Sequence, residues 1–233
     1  MPLNNKDNKG NIFLLLFIIS AVADIAGIAF NITWLHYSFK PLLLPLLLLA
    51  ALTGTSKSAK SKKLFIAALF FSWAGDMFLL FESENNLFFI FGLASFLTTH
   101  ILYIVYFLSI HSSATSLLKK QPWLIALVLL YGVSLVWLLF PKLGDLKVPV
   151  VIYAAVICTM LLCSMHVFYK ANKNAAALFV AGALLFVISD SLLAVNKFYT
   201  PFAYAGVCIM LTYCAAQYFI VKGFIKLAED DKS

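Results

Sequence analysis

The chain contains no arginine, and only 12% of its 233 residues are charged, against 63% hydrophobic. A soluble domain is about half apolar and about a quarter charged. So small a polar complement cannot cover a water-facing globule of this length. That excludes a soluble enzyme, a nucleic-acid-binding domain and a disordered tail protein. Cysteine is scarce as well: Cys158, Cys163, Cys208 and Cys214 lie in apolar runs with no C-x-x-C spacing, as expected of small core residues and not of a disulfide or metal site. There is no G-x-S-x-G elbow, no Gly-rich phosphate loop and no Ser-His-Asp arrangement, which leaves a serine hydrolase without support.

What the chain has is long apolar runs. Its mean hydropathy is +0.97, and a spanning helix needs about 20 mostly apolar residues at 1.5 Å each to cross a core ~30 Å thick. Eight runs meet or approach that length, over roughly 12–33, 39–54, 63–82, 87–110, 122–140, 148–169, 175–195 and 199–222. The second is the weakest, being short and carrying Pro41 and Pro45. Prolines are tolerable near a helix start or inside a bundle. The first run lacks a small-residue cleavage site and holds Asp24 mid-span, so it reads as a retained helix and not a signal peptide. The connectors are too short for a soluble domain. The expected fold is therefore all-α, a single integral membrane domain built as an eight-transmembrane-helix bundle over residues 1–233.

All seventeen basic residues are lysines, and most lie in connectors, where topology signals belong. With eight spans, Lys40, Lys142, Lys147 and Lys197 fall on one side and the other thirteen on the opposite side. A split of this kind predicts that both termini are cytoplasmic, in a plasma or bacterial inner membrane. A weak echo relates Gly75-Asp76-Met77-Phe78-Leu79-Leu80 in the third run to Ser189-Asp190-Ser191-Leu192-Leu193-Ala194 in the seventh. Both helices run in the same direction, so the echo reads as a parallel repeat.

Ionisable groups inside a span are costly, and by default they face the protein interior and serve a function. Asp24, Asp76 and Asp190 qualify, and no lysine is expected mid-span to neutralise them. Low dielectric disfavours an unpaired carboxylate, and two neighbouring carboxyls readily hold one proton between them. Such a pair keeps one acid and one base ready at neutral pH. Asp76 and Asp190 each lie ~10 Å below the same-side end of their helices, with Lys40 just above that level at the start of the second span and Ser72 one turn before Asp76. The plainer reading makes each aspartate a hydrogen-bonding contact between helices. His100 lies ~20 Å deep, which argues against a metal triad with the two aspartates and for a buried neutral histidine. His36 and His111 read as interfacial, and His166 as near the inner end of its helix. Tyr103, Tyr213 and Gln217 are internal polar groups suited either to a cavity lining or to core packing.

These residues carry a resemblance. Lys40-Pro41-Leu42-Leu43, Phe71-Ser72-Trp73-Ala74-Gly75-Asp76, Gly92 through His100 to Tyr103, and Ser189-Asp190-Ser191-Leu192-Leu193-Ala194 continuing through Lys197, Pro201 and Tyr213 to Gln217 occur in that order. In this pattern the chain resembles the YhhN-like lysoplasmalogenase family of integral membrane proteins. The likeness covers nearly everything after the first helix and leaves Asp24 outside.

The resemblance implies hydrolysis of the vinyl ether bond of a lysoplasmalogen to a fatty aldehyde and a glycerophospho-base, with Asp76 and Asp190 catalytic. It places Lys40, Ser72, His100, Tyr103, Tyr213 and Gln217 as substrate-binding candidates and Asp24 as a secondary one. The chemistry fits two carboxyls, since protonating a vinyl ether at its β-carbon gives an oxocarbenium ion that water captures. Paired carboxylates manage a similar state in glycoside hydrolases. No metal or organic cofactor is required, and the expected partners are a lysophospholipid substrate and membrane lipids, with no nucleic acid. Two other readings share the intramembrane aspartates: a proton-coupled lipid or small-molecule transporter, and a hydrolase of another ether or ester lysolipid.

Overall fold

Within hydrocarbon every backbone N–H and C=O needs a partner in the chain itself, and apolar runs meet that need as helices. The computed structural model describes residues 5–55, 61–110 and 115–230. Its α-helices are α1 (Asn5–Ala29), α2 (Thr33–Gly54), α3 (Lys62–Leu80), α4 (Asn86–Leu108), α5 (Leu117–Lys120), α6 (Trp123–Leu139), α7 (Lys147–His166), α8 (Lys173–Ala194) and α9 (Ala205–Asp230). Eight of them, all but the one-turn α5, are long and apolar enough to cross a bilayer. The protein is an all-α, multi-pass integral membrane protein. Lys57, Lys60 and Lys232, which enter the lysine asymmetry, and His111 lie outside the described residues.

The helices α1 and α2 differ from expectation. The first ends at Ala29 and not near 33, and the second begins at Thr33, six residues before the expected 39. The cause is a three-residue turn in which Asn31 takes φ 55°, a left-handed conformation that asparagine tolerates better than most residues. Gly27 lets the two helices meet behind this turn, because a Cβ there would sit 2.8 Å from the backbone nitrogen of His36. Two residues move as a result. Lys40, expected at the head of the second span, lies seven residues inside it. His36, expected at the interface, lies one turn before Lys40 on the same helix face.

Pro41 and Pro45 are both inside α2. Pro45 has no N–H to give to the carbonyl of residue 41, and the indole Nε1 of Trp73 on α3 donates to that carbonyl at 3.1 Å. The second span tolerates its prolines because the neighbouring helix satisfies a carbonyl they strand.

The chain divides into two compact units, one running to Tyr106 with the chain from Phe224 onward, the other from Phe107 to Gly223. In the first, Phe65 stacks on Phe224 at a ring separation of 4.0 Å, with Tyr103 and Tyr106 against it. In the second, Phe107 packs on Phe179 and Phe186 on Tyr213. There α8 and α9 approach closely at Gly182, where a Cβ would lie 2.9 Å from the carbonyl of Ala216. Each unit carries one of the two motif aspartates.

Candidate functional site

In the first unit, polar groups gather at the end that holds the α1–α2 and α3–α4 turns. Tyr37 ties these turns together: its hydroxyl donates to the carbonyl of Leu80 at 3.3 Å and its ring meets Phe81 edge-on. Asp24 lies on α1 about 7 Å from the helix end and is fully buried. Nδ1 of His36 is 2.7 Å from its Oδ1, the length of a charge-assisted hydrogen bond. The other oxygen, Oδ2, is buried with no hydrogen-bond partner among the described residues.

Asp76 lies four residues before the end of α3, about 6 Å along its axis, and is 2% exposed. Gly75 beside it admits the ring of Phe96 from α4, and Gly92 admits Leu79, so the α3–α4 approach holds this turn firmly. Ser72, one turn earlier, is fully buried. Lys40 is 8% exposed. It precedes Pro41, whose carbonyl takes the Trp73 indole, so Lys40 and Asp76 stand within about a turn of the same level.

His100 and Tyr103 are elsewhere in the unit. Thr99 donates to the carbonyl of Ala68 at 3.2 Å, which sets His100 about 12 Å along α3 from Asp76. Tyr103 is fully buried in the aromatic cluster around Phe65, about 16 Å along α3 from Asp76.

In the second unit, Asp190 sits four residues before the end of α8. The hydroxyl of Tyr153 on α7 donates to its Oδ2 at 2.5 Å. The adjacent Ser191 gives its proton to the carbonyl of Val187 at 2.6 Å and accepts from Tyr131 of α6 at 2.8 Å. Ser189 donates to the carbonyl of Ile209 and so ties α8 to α9. Three consecutive residues thus anchor α8 to α7, α6 and α9 in turn. Asp190, Ser191, Tyr153 and Tyr131 line a cavity of about 40 Å³ whose other walls are mostly apolar, room for one or two waters. Immediately after Ala194 the helix widens into a π turn over Val195–Tyr199, a feature that often accompanies functional sites.

Tyr213 and Gln217 pair with each other one turn apart on α9, Nε2 to hydroxyl at 3.3 Å. The α8–α9 register given by Ser189–Ile209 and Gly182–Ala216 sets Gln217 about 12 Å deeper than Asp190. Among the described residues no three His, Cys, Asp or Glu side chains stand where a metal ion could be held.

Sequence reasoning missed Tyr153, Tyr131 and His36. Tyr153 carried a signal: it lies six residues into its helix, a depth that matches Asp190 on the neighbouring α8. His36 was hidden by the misplaced start of α2.

The model of the YhhN family matches residues 35–224. A Mycobacterium bovis protein named Lysoplasmalogenase is 29% identical over 183 residues, covering 76% of this chain and 66% of its own length, just under two thirds. The human protein named Lysoplasmalogenase TMEM86B is 33% identical over 179 residues, with 76% and 70% covered. The Escherichia coli O6:H1 protein named Uncharacterized membrane protein YhhN is 28% identical over 195 residues, with 82% and 87% covered. No solved structure gives a significant match. With the family match covering most of the chain, from α2 into α9, the chain belongs to the YhhN family.

Proposed function

We propose that this protein is a membrane hydrolase that cleaves the vinyl ether bond of a lysoplasmalogen, releasing a fatty aldehyde and a glycerophospho-base. The relatives named lysoplasmalogenase supply the substrate class. The observation that carries the reading to this chain is Asp190, a carboxyl inside an apolar helix, held by Tyr153 and lining a cavity of about 40 Å³.

Asp76 and Asp190 are the two carboxyls of the reaction. One, protonated, gives its proton to the β-carbon of the vinyl ether, and the C=C electron pair forms the new C–H bond. The ether oxygen then shares the positive charge of an oxocarbenium ion, which the other carboxyl stabilises as an anion. That second carboxyl takes a proton from water as the water oxygen bonds to the α-carbon, giving a hemiacetal. As the bond between that carbon and the ether oxygen breaks, the first carboxylate takes the hemiacetal hydroxyl proton and the second carboxyl gives its proton to the leaving oxygen, which releases the aldehyde and leaves the glycerol hydroxyl. The acid and base are restored. Lys40, buried in α2 one turn from His36, is the residue suited to hold the substrate phosphate.

Turnover of lysoplasmenyl-choline by the purified protein in D₂O tests the chemistry. The reading requires one deuterium at C2 of the aldehyde and none on the carbons of the glycerophosphocholine. An aldehyde free of deuterium at C2 excludes carbon protonation, and no aldehyde at all excludes the substrate.

A further inference from the structure

On the second unit, α6 and α7 form a second, much larger groove of about 530 Å³, lined from Leu129 to Pro141 on α6 and the turn after it and from Val151 to Leu162 on α7. That volume falls within the ~300–1,000 Å³ of ordinary ligand pockets. Its lining is almost wholly apolar. The hydroxyl of Thr159 is turned back onto the carbonyl of Ala155 at 2.7 Å, so the groove offers a bound molecule almost no polar partner. Leu129, Val133 and Trp137 on its walls are more than half exposed, which in a spanning helix means exposed to lipid.

Three features say what occupies it. First, Gly132, Val136, Ala154 and Cys158 wall both this groove and the Asp190 cavity. They are i, i+4 pairs on the two helices, so one seam separates the groove from the carboxyl. Second, the groove follows eleven residue steps of α7, about 16 Å, or about half of the ~30 Å hydrocarbon core. That is the depth of one leaflet and hence of one lipid chain. Third, its ends differ. One meets the polar turn that carries Lys142, Asp145 and Lys147, with the Lys147 ammonium 5.0 Å from the ring centre of Phe140; the other, at Leu162, is apolar. Anything lying here is an amphiphile with its polar end on the turn side of the groove and a single tail running toward Leu162.

We infer that this groove binds the hydrocarbon chain of the single-chain phospholipid substrate, received sideways from the bilayer, with the chain's first carbons against the seam next to Asp190. The inference rests on the proposed activity for the identity of the lipid. The Asp190 cavity is walled by Leu139, Val150 and Ala194 near the polar turn, which is where the bond next to glycerol lies in such a pose. Chain length is then read at the far end, by the wall around Thr159 and Leu162.

Leu129→Trp and Thr159→Trp fill the far half of the groove from positions that are already exposed, so neither requires the core to repack. Val148→Trp, equally exposed on α7 but outside the lining, is the control for bulk. Relative kcat/KM on lysoplasmenyl-cholines of 16 and 8 chain carbons should fall at least tenfold for the long chain and change less than twofold for the short one, in both groove variants and not in the control. Equal loss on both chains, or no change in the ratio, overturns the inference.

A second readout does not depend on catalysis. A saturated alkyl-ether lysophosphocholine with a diazirine at the chain terminus, irradiated with the wild-type protein, should label peptides containing residues 129–141 or 151–162, and Thr159→Trp should remove that label. Labelling confined to other helices overturns the inference. Labelling at α6 and α7 from a protein that releases no aldehyde upholds the groove and rejects the proposed activity.

Discussion

Tyr153 holds Asp190 across 2.5 Å, hydroxyl to Oδ2, from a neighbouring membrane helix. In a low-dielectric interior such a bond orients the carboxyl far more firmly than it would in water. Tyr153→Phe keeps the ring and removes only that bond. Its expected effect on aldehyde release is a fall in kcat of about 10- to 100-fold, the scale of a buried polar group left without its hydrogen bond, with little change in KM. An unaltered kcat would reduce Tyr153 to a packing residue.

Trp73 and Pro45 act on the same carbonyl. Trp73→Phe leaves the oxygen of Pro41 without its indole donor, at an expected cost of about 1 kcal/mol in detergent. Pro45→Ala restores a backbone N–H at the position that ordinarily serves that oxygen. The two substitutions should therefore be non-additive: in the Pro45→Ala background, Trp73→Phe should lower the Tm by clearly less than it does alone. Additive shifts would mean that the indole bond does not stand in for the amide that Pro45 lacks.

Gly27 and the Asp24–His36 pair form a third test. A methyl group at residue 27 would meet the backbone of α2 at 2.8 Å, and backbone cannot swing aside as a flexible side chain can. Gly27→Ala should cost about 1–3 kcal/mol. His36→Ala should cost a few kcal/mol, because it strands a fully buried carboxyl. His36→Ala in an Asp24→Asn background should cost less than in the wild type. Thermal unfolding of the four variants decides the matter, and equal losses in both backgrounds would argue against coupling.

Lys40 gives a fourth prediction. In the proposed site it holds the substrate phosphate before and during the reaction, so Lys40→Ala should raise KM about tenfold or more and change kcat little. An unchanged KM removes Lys40 from the site.

The helices were legible in the sequence because spanning length is a matter of counting apolar residues, and Asp76 and Asp190 stood out because charge inside a span is expensive. The start of α2 was not legible: Trp34, His36 and Tyr37 look like an interfacial connector, and only the left-handed Asn31 and the close packing at Gly27 show that the helix has already begun. Lys40 and His36 moved inside the span for that reason. Pairings were harder still. Depth along a helix follows from counting, so Tyr153 was within reach of Asp190 on paper. Which way each side chain faces depends on the rotation of α7 against α8, and spacing does not carry that. The apolar groove was invisible because residues lining it are indistinguishable in composition from residues facing lipid.

The central claim is that two intramembrane aspartates hydrolyse a vinyl ether. Its most direct test is aldehyde release from lysoplasmenyl-ethanolamine by the purified wild type beside Asp76→Asn and Asp190→Asn, each confirmed as folded by its elution and thermal unfolding. The account predicts aldehyde from the wild type and loss of at least about a thousandfold in either variant, on the scale seen when an essential catalytic group is removed. Near-wild-type release by either variant would contradict it.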